Sequence, residues 1–268
     1  MIIRGMSEEE YFARTHELSS TGAKQILRTP REFEYARTHP QAPKAAFDLG
    51  SAVHALVLGT GWGIAELHYD SFRTKAAQEE RDAARADGLI PVLAKDMHEP
   101  RAIAEAVLAY PTSRALFEAA ADRELTVTAN IDGVPVRCRF DAFADTGNQL
   151  IGIDLKTTGK SASAKGFERA IASFGYDVQQ GHYQATYEAS EGVPCAFVFV
   201  AVETTAPHLV QVHQLSEQWR QIGAEKAKRA RDIFAACTES GVWPGYPEGV
   251  HLLDPPAWHV IEHEMETA

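Results

Sequence analysis

The stretch ELTVTANIDGVPVRCRFDAFADTGNQLIGIDLKTT, residues 124–158, decides the fold. Apolar and polar side chains alternate along residues 124–130 and again along residues 134–145, which is the period of a half-buried strand. An Asp-Gly pair between these segments is typical of a hairpin turn, and a Thr-Gly-Asn turn then leads into residues 150–158. The sequence therefore predicts three consecutive antiparallel strands.

Three charged residues of this meander predict a site for a metal ion and a phosphate. Asp154 and Lys156 are two positions apart on one strand, so their side chains emerge on the same face, and the preceding turn would bring Asp141 back beside them. Paired carboxylates bind a hard cation such as Mg²⁺, and an ammonium stabilises negative charge on phosphate oxygens. A surface ion pair is the alternative, but the residues around it are apolar, and an interior charged pair without a task is costly.

Four other residues allow both a functional and a structural interpretation. His54 lies on an apolar helix, where a histidine is usually a core residue, but it can also supply an imidazole to the same ion. Glu124 is either a further carboxylate of the site or an ordinary charge at a strand end. Gln179 and Tyr183 are four residues apart on one helix face, where they either contact DNA and the site or lie on the solvent-exposed surface.

The segments around the meander complete an α+β pattern. Before it, we expect a helix that begins near Ser19 and is interrupted around Pro30, a helix over residues 45–58, an exposed helix over 75–88, and an apolar turn into another helix over 89–111. After it, we expect helices over 162–173 and 177–190, strands over 195–203 and 208–215, and a long terminal helix over 216–237. This order predicts one domain over residues 1–268 with a mixed sheet, an N-terminal helical part (1–120) and a catalytic core (about 121–240).

Composition limits the classes of protein that the chain can represent. The formal net charge of −11 and the sequence pI of about 5.5 argue against a protein that coats DNA by bulk electrostatics, but a local basic strip remains compatible. Three widely separated cysteines, Cys138, Cys195 and Cys237, predict buried thiols rather than disulfides or a zinc site. No apolar run has the length of a membrane span and no secretory signal is visible, so we expect a cytoplasmic protein, in the host cell if it is phage-encoded.

Five segments in order resemble the PD-(D/E)XK nucleases, most closely the RecE type (exonuclease VIII), which is related to the RecB, Cas4 and lambda exonuclease nuclease domains. The matching segments are LSSTGAKQIL (18–27), FDLGSAVHALVLG (47–59), RCRFDAF (137–143), IGIDLKTT (151–158) and YDVQQGHYQATY (176–187). The resemblance implies a central mixed sheet, an antiparallel meander plus further strands, flanked by helices. Phe140 stands where the family's defining proline would precede Asp141.

The resemblance also assigns roles to individual residues. It implies metal ligands, a catalytic lysine, a Q-x-x-x-Y element near the site and a further acidic residue before the meander. The implied metal ligands are His54, Asp141, Asp154 and the carbonyl of Leu155. Lys156 corresponds to the catalytic lysine, and Gln179 and Tyr183 to the Q-x-x-x-Y element. Glu124 corresponds to the further acidic residue. The implied ion is Mg²⁺ with Mn²⁺ as the alternative, and no iron–sulfur cluster is expected, because relatives that hold one use four cysteines.

RecE-type enzymes imply a substrate and partners for this chain. They digest linear duplex DNA from the 5′ end in phage or prophage recombination, form ring-like oligomers and work with a single-strand annealing protein. Candidates for a basic DNA-binding strip near the site are Arg137, Arg139, Lys160 and Lys165. An endonuclease or single-strand-specific nuclease of the same fold is one alternative, a hydrolase of another phosphoester is a second, and a non-catalytic DNA-binding or assembly module is a third.

Overall fold

A computed structural model describes residues 1–39, 45–60 and 63–267, with side chains in the second range described from residue 49. The elements are, in chain order, β1 (Ile2–Ile3), α1 (Glu8–Ala13), α2 (Ser20–Arg28), α3 (Pro30–Thr38), α4 (Ala45–Leu58), β2 (Ile64–Leu67), α5 (Lys75–Ala86), β3 (Ile90–Leu93), α6 (His98–Ala109), α7 (Pro111–Ala119), β4 (Ala120–Ile131), β5 (Val134–Asp145), β6 (Leu150–Thr158), α8 (Ala164–Phe174), α9 (Tyr176–Glu191), β7 (Ala196–Glu203), β8 (Val210–His213), α10 (Glu217–Ser240) and α11 (Ala257–Thr267).

The main sheet has six strands in the order β1-β4-β5-β6-β7-β8. The strands β4, β5 and β6 form the predicted antiparallel meander, with register pairs such as Leu125↔Phe140 and Ala142↔Ile153. β7 then pairs in parallel with β6, which requires a crossover, and α8 and α9 provide it. The prediction of an α+β fold with a mixed sheet flanked by helices is confirmed.

Helices cover both faces of the sheet. On one face α8 and α9 pack on a core that includes Cys138, Phe140 and Phe199. On the other face α4, α6 and α7 pack on a core that includes Ile153 and Leu155. The helices α2, α3 and α10 form a third cluster over the start of β5. The sheet centre, where β5 and β6 lie, is therefore enclosed by helices on both sides.

The ladder of the meander is interrupted on both sides of Asp141. On the β4 side, Arg123↔Ala142 and Leu125↔Phe140 are paired, but Glu124, which lies between them, has a φ of 47° and makes no ladder pair with Asp141. On the β6 side, the ladder stops at Ala142↔Ile153. Backbone with positive φ is uncommon outside glycine and disturbs a strand locally. Asp141 therefore lies where three strands separate.

Several elements differ from their predicted bounds. The apolar segment after residue 89 contains a strand, β3, which pairs in parallel with β2 in a separate two-stranded sheet, and not only a turn. β4 begins at Ala120, four residues before the predicted start. The long helix α10 is not terminal, because α11 follows it. The unpredicted strand β1 pairs with β4 at the edge of the main sheet.

Two further predictions concern thiols and membranes. Cys138, Cys195 and Cys237 are free and buried, as predicted. Burial raises the pKa of the Cys138 thiol well above its ordinary value. Across the described ranges, none of the helices combines the length and the apolar character that crossing a bilayer requires.

Candidate active site

The Asp141 carboxylate fills the gap where β5 and β6 separate. Its Oδ2 accepts a hydrogen bond of 2.6 Å from the backbone N–H of Leu155 on β6. This bond replaces the missing ladder bond and satisfies a backbone donor that would otherwise be buried without a partner. The side chain is thereby held beside the strand that carries Asp154 and Lys156.

Asp154 and Lys156 form an ion pair, as their spacing on β6 allows. Lys156 Nζ lies 2.5 Å from Asp154 Oδ2. The other carboxylate oxygen, Asp154 Oδ1, accepts a 2.5 Å hydrogen bond from Gln179 Nε2 on α9. Asp154 is 2% exposed, so both of its oxygens are directed by protein groups. Lys156 Nζ also lies 5.0 Å from the centre of the Tyr176 ring, within the range of a cation–π contact.

His54 reaches the same site from α4. Its Nδ1 lies 3.6 Å from Asp141 Oδ2. The structure thus brings an imidazole, two carboxylates and one ammonium together from α4, β5 and β6. Among the residues that the structure describes, no three His, Cys, Asp or Glu side chains are already arranged around one ion position.

The donor set fits a hard divalent cation. Carboxylate oxygens are the ligands that such a cation prefers, and the imidazole of His54 adds a nitrogen donor of the kind that transition-metal ions bind. Asp154 Oδ2 is buried and, apart from the Lys156 ion pair, accepts no hydrogen bond from the described part of the chain. Two carboxylates held close together also repel each other unless a cation joins them. His54, Asp141 and Asp154 are the side chains that would hold such an ion.

The site shifts the pKa values of its charged groups. Burial raises the pKa of the Asp141 carboxyl to about 6; His54 opposes this shift, and the Asp154 carboxylate reinforces it. Burial alone would lower the pKa of the Lys156 ammonium, but the Asp154 and Asp141 carboxylates outweigh it and raise the pKa above its ordinary value. Lys156 is therefore a stable cation at neutral pH.

A cavity of about 740 Å³ opens over the site. Most of the residues predicted for the site line it, and they are His54, Glu124, Arg137, Arg139, Asp141, Leu155, Lys156 and Tyr183. Asp154 and Gln179 do not line the cavity; they lie behind it, hydrogen-bonded to each other. Lys160 and Lys165 are exposed and lie outside the cavity wall.

Arg137 and Arg139 are placed differently from the predicted open strip. Arg137 is 6% exposed, and its Nη1 donates to the backbone carbonyls of Arg14 and Glu17. Arg139 Nη2 donates to the carbonyl of Ser7 at 3.1 Å. These guanidinium groups hold the N-terminal segment against β5 instead of standing free for DNA phosphates.

Tyr183 is largely a packing residue at the cavity floor. Its ring contacts Phe140 and Phe197 edge-on, with centroids 5.1 Å and 5.7 Å away. Burial raises the pKa of its hydroxyl well above the ordinary value. The Q-x-x-x-Y element is thus divided: Gln179 orients Asp154, while Tyr183 forms part of the core and of the cavity wall.

Residues that sequence patterns did not single out also surround the site. Glu8 and Tyr11 of α1 line the cavity, and Tyr176 lies against Lys156. Lys24 of α2 packs its side chain on Gly175, directly before Tyr176. Burial, reinforced by the charge of Lys156, lowers the pKa of Lys24 to about 8. No local motif marks these positions, because they approach the site only through helix packing.

Comparisons with known proteins find one matching family and several similar solved structures. The family described as a PDDEXK-like domain of unknown function (DUF3799) matches residues 19–255, and a search of curated proteins finds no match. A solved structure from Eubacterium rectale, described as a candidate exonuclease, is similar over 97% of this chain and 98% of its own, with a TM-score of 0.62 and 13% identity. A phage-related exonuclease from Haemophilus somnus 129PT is similar over 87% and 100% of the two chains, with a TM-score of 0.33 and 10% identity.

Proposed function

Because this chain belongs to the PDDEXK-like family DUF3799, as the resemblance of its motifs predicted, we propose that it is a Mg²⁺-dependent deoxyribonuclease. We propose further that it is a RecE-like 5′-to-3′ exonuclease of linear double-stranded DNA that acts in phage or prophage recombination. The observation that carries the proposal is the convergence of Asp141, Asp154 and Lys156 beneath one cavity. The description of the Eubacterium rectale protein as a candidate exonuclease supports the same class.

His54, Asp141, Asp154 and the carbonyl of Leu155 would hold the metal ion. When bound, a divalent cation polarises the phosphodiester and offsets the negative charge that develops during hydrolysis. Mg²⁺ is the proposed ion and Mn²⁺ the alternative, since both prefer oxygen ligands.

Lys156 would stabilise charge and would not abstract a proton. Its raised pKa keeps a proton on Nζ at neutral pH, so the ammonium can donate to a phosphate oxygen or to the attacking water. Gln179 fixes the Asp154 carboxylate from behind, which limits its rotation. Glu124 lines the cavity beside Asp141 and is proposed as an accessory carboxylate.

The oligomeric ring and the annealing-protein partner remain part of the proposal. A net charge of −11 disfavours binding of DNA over the whole surface. A ring that surrounds the duplex would concentrate the few available cations around the strand, which would suit an acidic nuclease. Lys160 and Lys165 are exposed and are proposed to contact DNA from the rim of the site.

The test is digestion, and binding, of linear duplex, closed circular duplex and single-stranded DNA with Mg²⁺, with Mn²⁺ and with chelator. Asp154→Asn and Lys156→Ala are each expected to lower the rate at least about 100-fold. The matched control is Lys75→Ala, which removes an exposed lysine on α5. End-labelled substrates report the direction of digestion.

Each of the alternatives that act on or bind DNA has its own outcome in this experiment. Loss of linear DNA alone, with metal, supports the exonuclease. Cutting of the circle identifies an endonuclease, and digestion only of single strands identifies a single-strand-specific enzyme. Binding without any digestion identifies a non-catalytic module, and unchanged digestion by both variants would rule out this site.

A further inference from the structure

The helix α1 is fastened to the strand that carries Asp141. Arg137, Arg139 and Asp141 occupy alternate positions of β5 and therefore share one side of the strand. Arg139 donates to the carbonyl of Ser7, just before α1, and Arg137 donates to the carbonyls of Arg14 and Glu17, just after it. Both ends of α1 are thus tied to β5 by charge-assisted hydrogen bonds.

The centre of α1 also contacts Arg137 and Arg139. The Tyr11 ring lies between the two guanidinium groups, with ring centre to carbon distances of 4.2 Å for Arg139 and 4.9 Å for Arg137. At the helix start, Ser7 and Glu10 form a reciprocal capping box. A six-residue helix would be marginal alone, so these contacts explain why α1 is a fixed wall of the cavity.

Phe12 is the residue that this fixed helix presents outward. It is 63% exposed, yet it lines the same cavity as Asp141, Lys156 and His54. Its ring meets the clamped Tyr11 ring edge-on, with centroids 5.6 Å apart and an interplanar angle of 80°. A single exposed phenylalanine is ordinary on a protein surface. One that lies on a helix hydrogen-bonded at both ends, in the wall of the proposed catalytic cavity, is not explained by packing.

We propose that Phe12 is a stacking platform for a nucleobase of the DNA strand being hydrolysed. This inference rests on the proposed nuclease function. A strand that reaches Asp141 and Lys156 through the cavity must pass α1, and the bases are its flat apolar parts. Bases inside a duplex are stacked on both sides, so the base that lies on Phe12 must be terminal or unpaired. Phe12 would therefore favour a frayed or single-stranded end at the site, because aromatic side chains bind such bases without sequence preference.

The test measures DNA binding without hydrolysis. Asp154→Asn serves as the parent, and fluorescence anisotropy follows its binding to oligonucleotides with a single-stranded end. Phe12→Ala and Phe12→Leu are expected to weaken binding roughly 5- to 150-fold, and Phe12→Trp is expected to retain it. Tyr246→Ala, an aromatic that is 84% exposed and lies outside the cavity, is the matched control.

A double-mutant cycle separates stacking from a structural effect of the substitution. A series of oligonucleotides carries one abasic nucleotide at successive positions from the end. In the protein that retains Phe12, an abasic nucleotide at one position should weaken binding by about as much as Phe12→Ala does. In the Phe12→Ala protein, an abasic nucleotide at that position should weaken binding no further. Equal abasic profiles for both proteins, or full affinity in Phe12→Ala, would overturn the proposal. Absence of DNA binding by wild type and parent alike would instead remove the nuclease function on which it rests.

Discussion

Asp141 both stabilises and destabilises the folded protein. It terminates the ladder between β5 and β6 by accepting the Leu155 N–H, which stabilises the local fold. It also places a half-buried carboxylate beside Asp154, and desolvation raises the pKa of this carboxyl to about 6. Without a cation, the ionised form of Asp141 is therefore a cost to the folded state.

Asp141→Asn is expected to stabilise the metal-free protein at neutral pH. An unfolded aspartate titrates near pH 3.9, roughly 2 units below the folded pKa. The native state therefore binds the proton more tightly, and wild-type stability falls as pH rises from about 4 through about 6. Asparagine keeps the acceptor for Leu155 but does not ionise. Urea unfolding with chelator should show a gain for the variant on the order of 2 kcal/mol larger at pH 7.5 than at pH 4.5.

Added metal should reverse the advantage of Asp141→Asn over the wild type. Added Mg²⁺ should stabilise the wild type more than Asp141→Asn, because binding to the native state adds to its stability. If the difference in the free energy of unfolding between Asp141→Asn and the wild type is the same at both pH values, the pKa of Asp141 is not raised by folding.

Gln179→Ala is expected to lower metal affinity and hydrolysis rate without unfolding the protein. Gln179 Nε2 holds Asp154 Oδ1, and loss of a group that orients a metal ligand typically costs roughly 10- to 100-fold. Gln184→Ala is the control, since Gln184 lies on the same helix and donates to the Cys195 carbonyl instead. Titration calorimetry with Mn²⁺ and rates of DNA digestion are the two measurements. Equal effects of the two substitutions would mean that Gln179 acts only through helix stability.

The sequence predicted which site residues lie close together better than it predicted what packs against them. Spacing along β5 and β6 predicted that Asp141, Asp154 and Lys156 lie near one another, because strand period and turn length determine that. Arg137 and Arg139 were predicted to lie near the site, but the segment that covers them was not predicted. The covering segment, α1, is distant in sequence, so its carbonyls and Tyr11 were not predicted as partners of these arginines.

At the scale of elements, a close crossing of α9 and α10 holds the helix that carries Gln179. A side chain at Gly181 would lie 2.6 Å from the Gly223 backbone, and one at Gly223 would lie 2.2 Å from the Asp177 carbonyl oxygen. Real carbon contacts are longer than this, so only glycine permits the observed separation of the two helices.

Gly181→Ala is expected to destabilise the protein by about 2 kcal/mol or more, because backbone must move and the better helix propensity of alanine offsets only about 1 kcal/mol. Gly159→Ala is the control, since its added carbon comes no closer than 3.9 Å to Thr204 Oγ1. That substitution should change stability by less than about 0.5 kcal/mol. Urea midpoints measure both, and similar small shifts would show that α9 and α10 separate easily.

Long elements with a regular apolar period were predicted better than short ones. The meander and the amphipathic helices carry many repeats of their period, and they were predicted with small errors of boundary. β2 and β3 have four residues each, which is too short for a period to be distinguished from an apolar turn. The positive φ of Glu124 has no sequence signal, although it helps to separate the strands at Asp141.

At the scale of the whole molecule, DNA must be bound by a protein of net charge −11. Among the residues that the structure describes, the lysine and arginine side chains that line the cavity are Arg37, Arg137, Arg139 and Lys156. Arg37 is paired with Glu34, and Arg137 is directed to backbone carbonyls. Phosphate contacts must therefore come from a small number of side chains, with Lys156 among them and the exposed Lys160 and Lys165 as candidates.

A shallow salt dependence of DNA binding is the expected consequence. Each phosphate contact contributes about −0.9 to the slope of log affinity against log salt, so we expect a slope of roughly −2 to −4 for one subunit. Lys156→Ala, and Lys160→Ala or Lys165→Ala if these touch DNA, should each reduce the slope by about one. Arg137→Ala should leave the slope unchanged and instead lower the free energy of unfolding, because the carbonyls of Arg14 and Glu17 lose their donor. Anisotropy titrations over a range of KCl concentrations, with chelator, distinguish these cases. A reduced slope in Arg137→Ala would mean that its guanidinium reaches a phosphate and that the clamp on α1 opens when DNA binds.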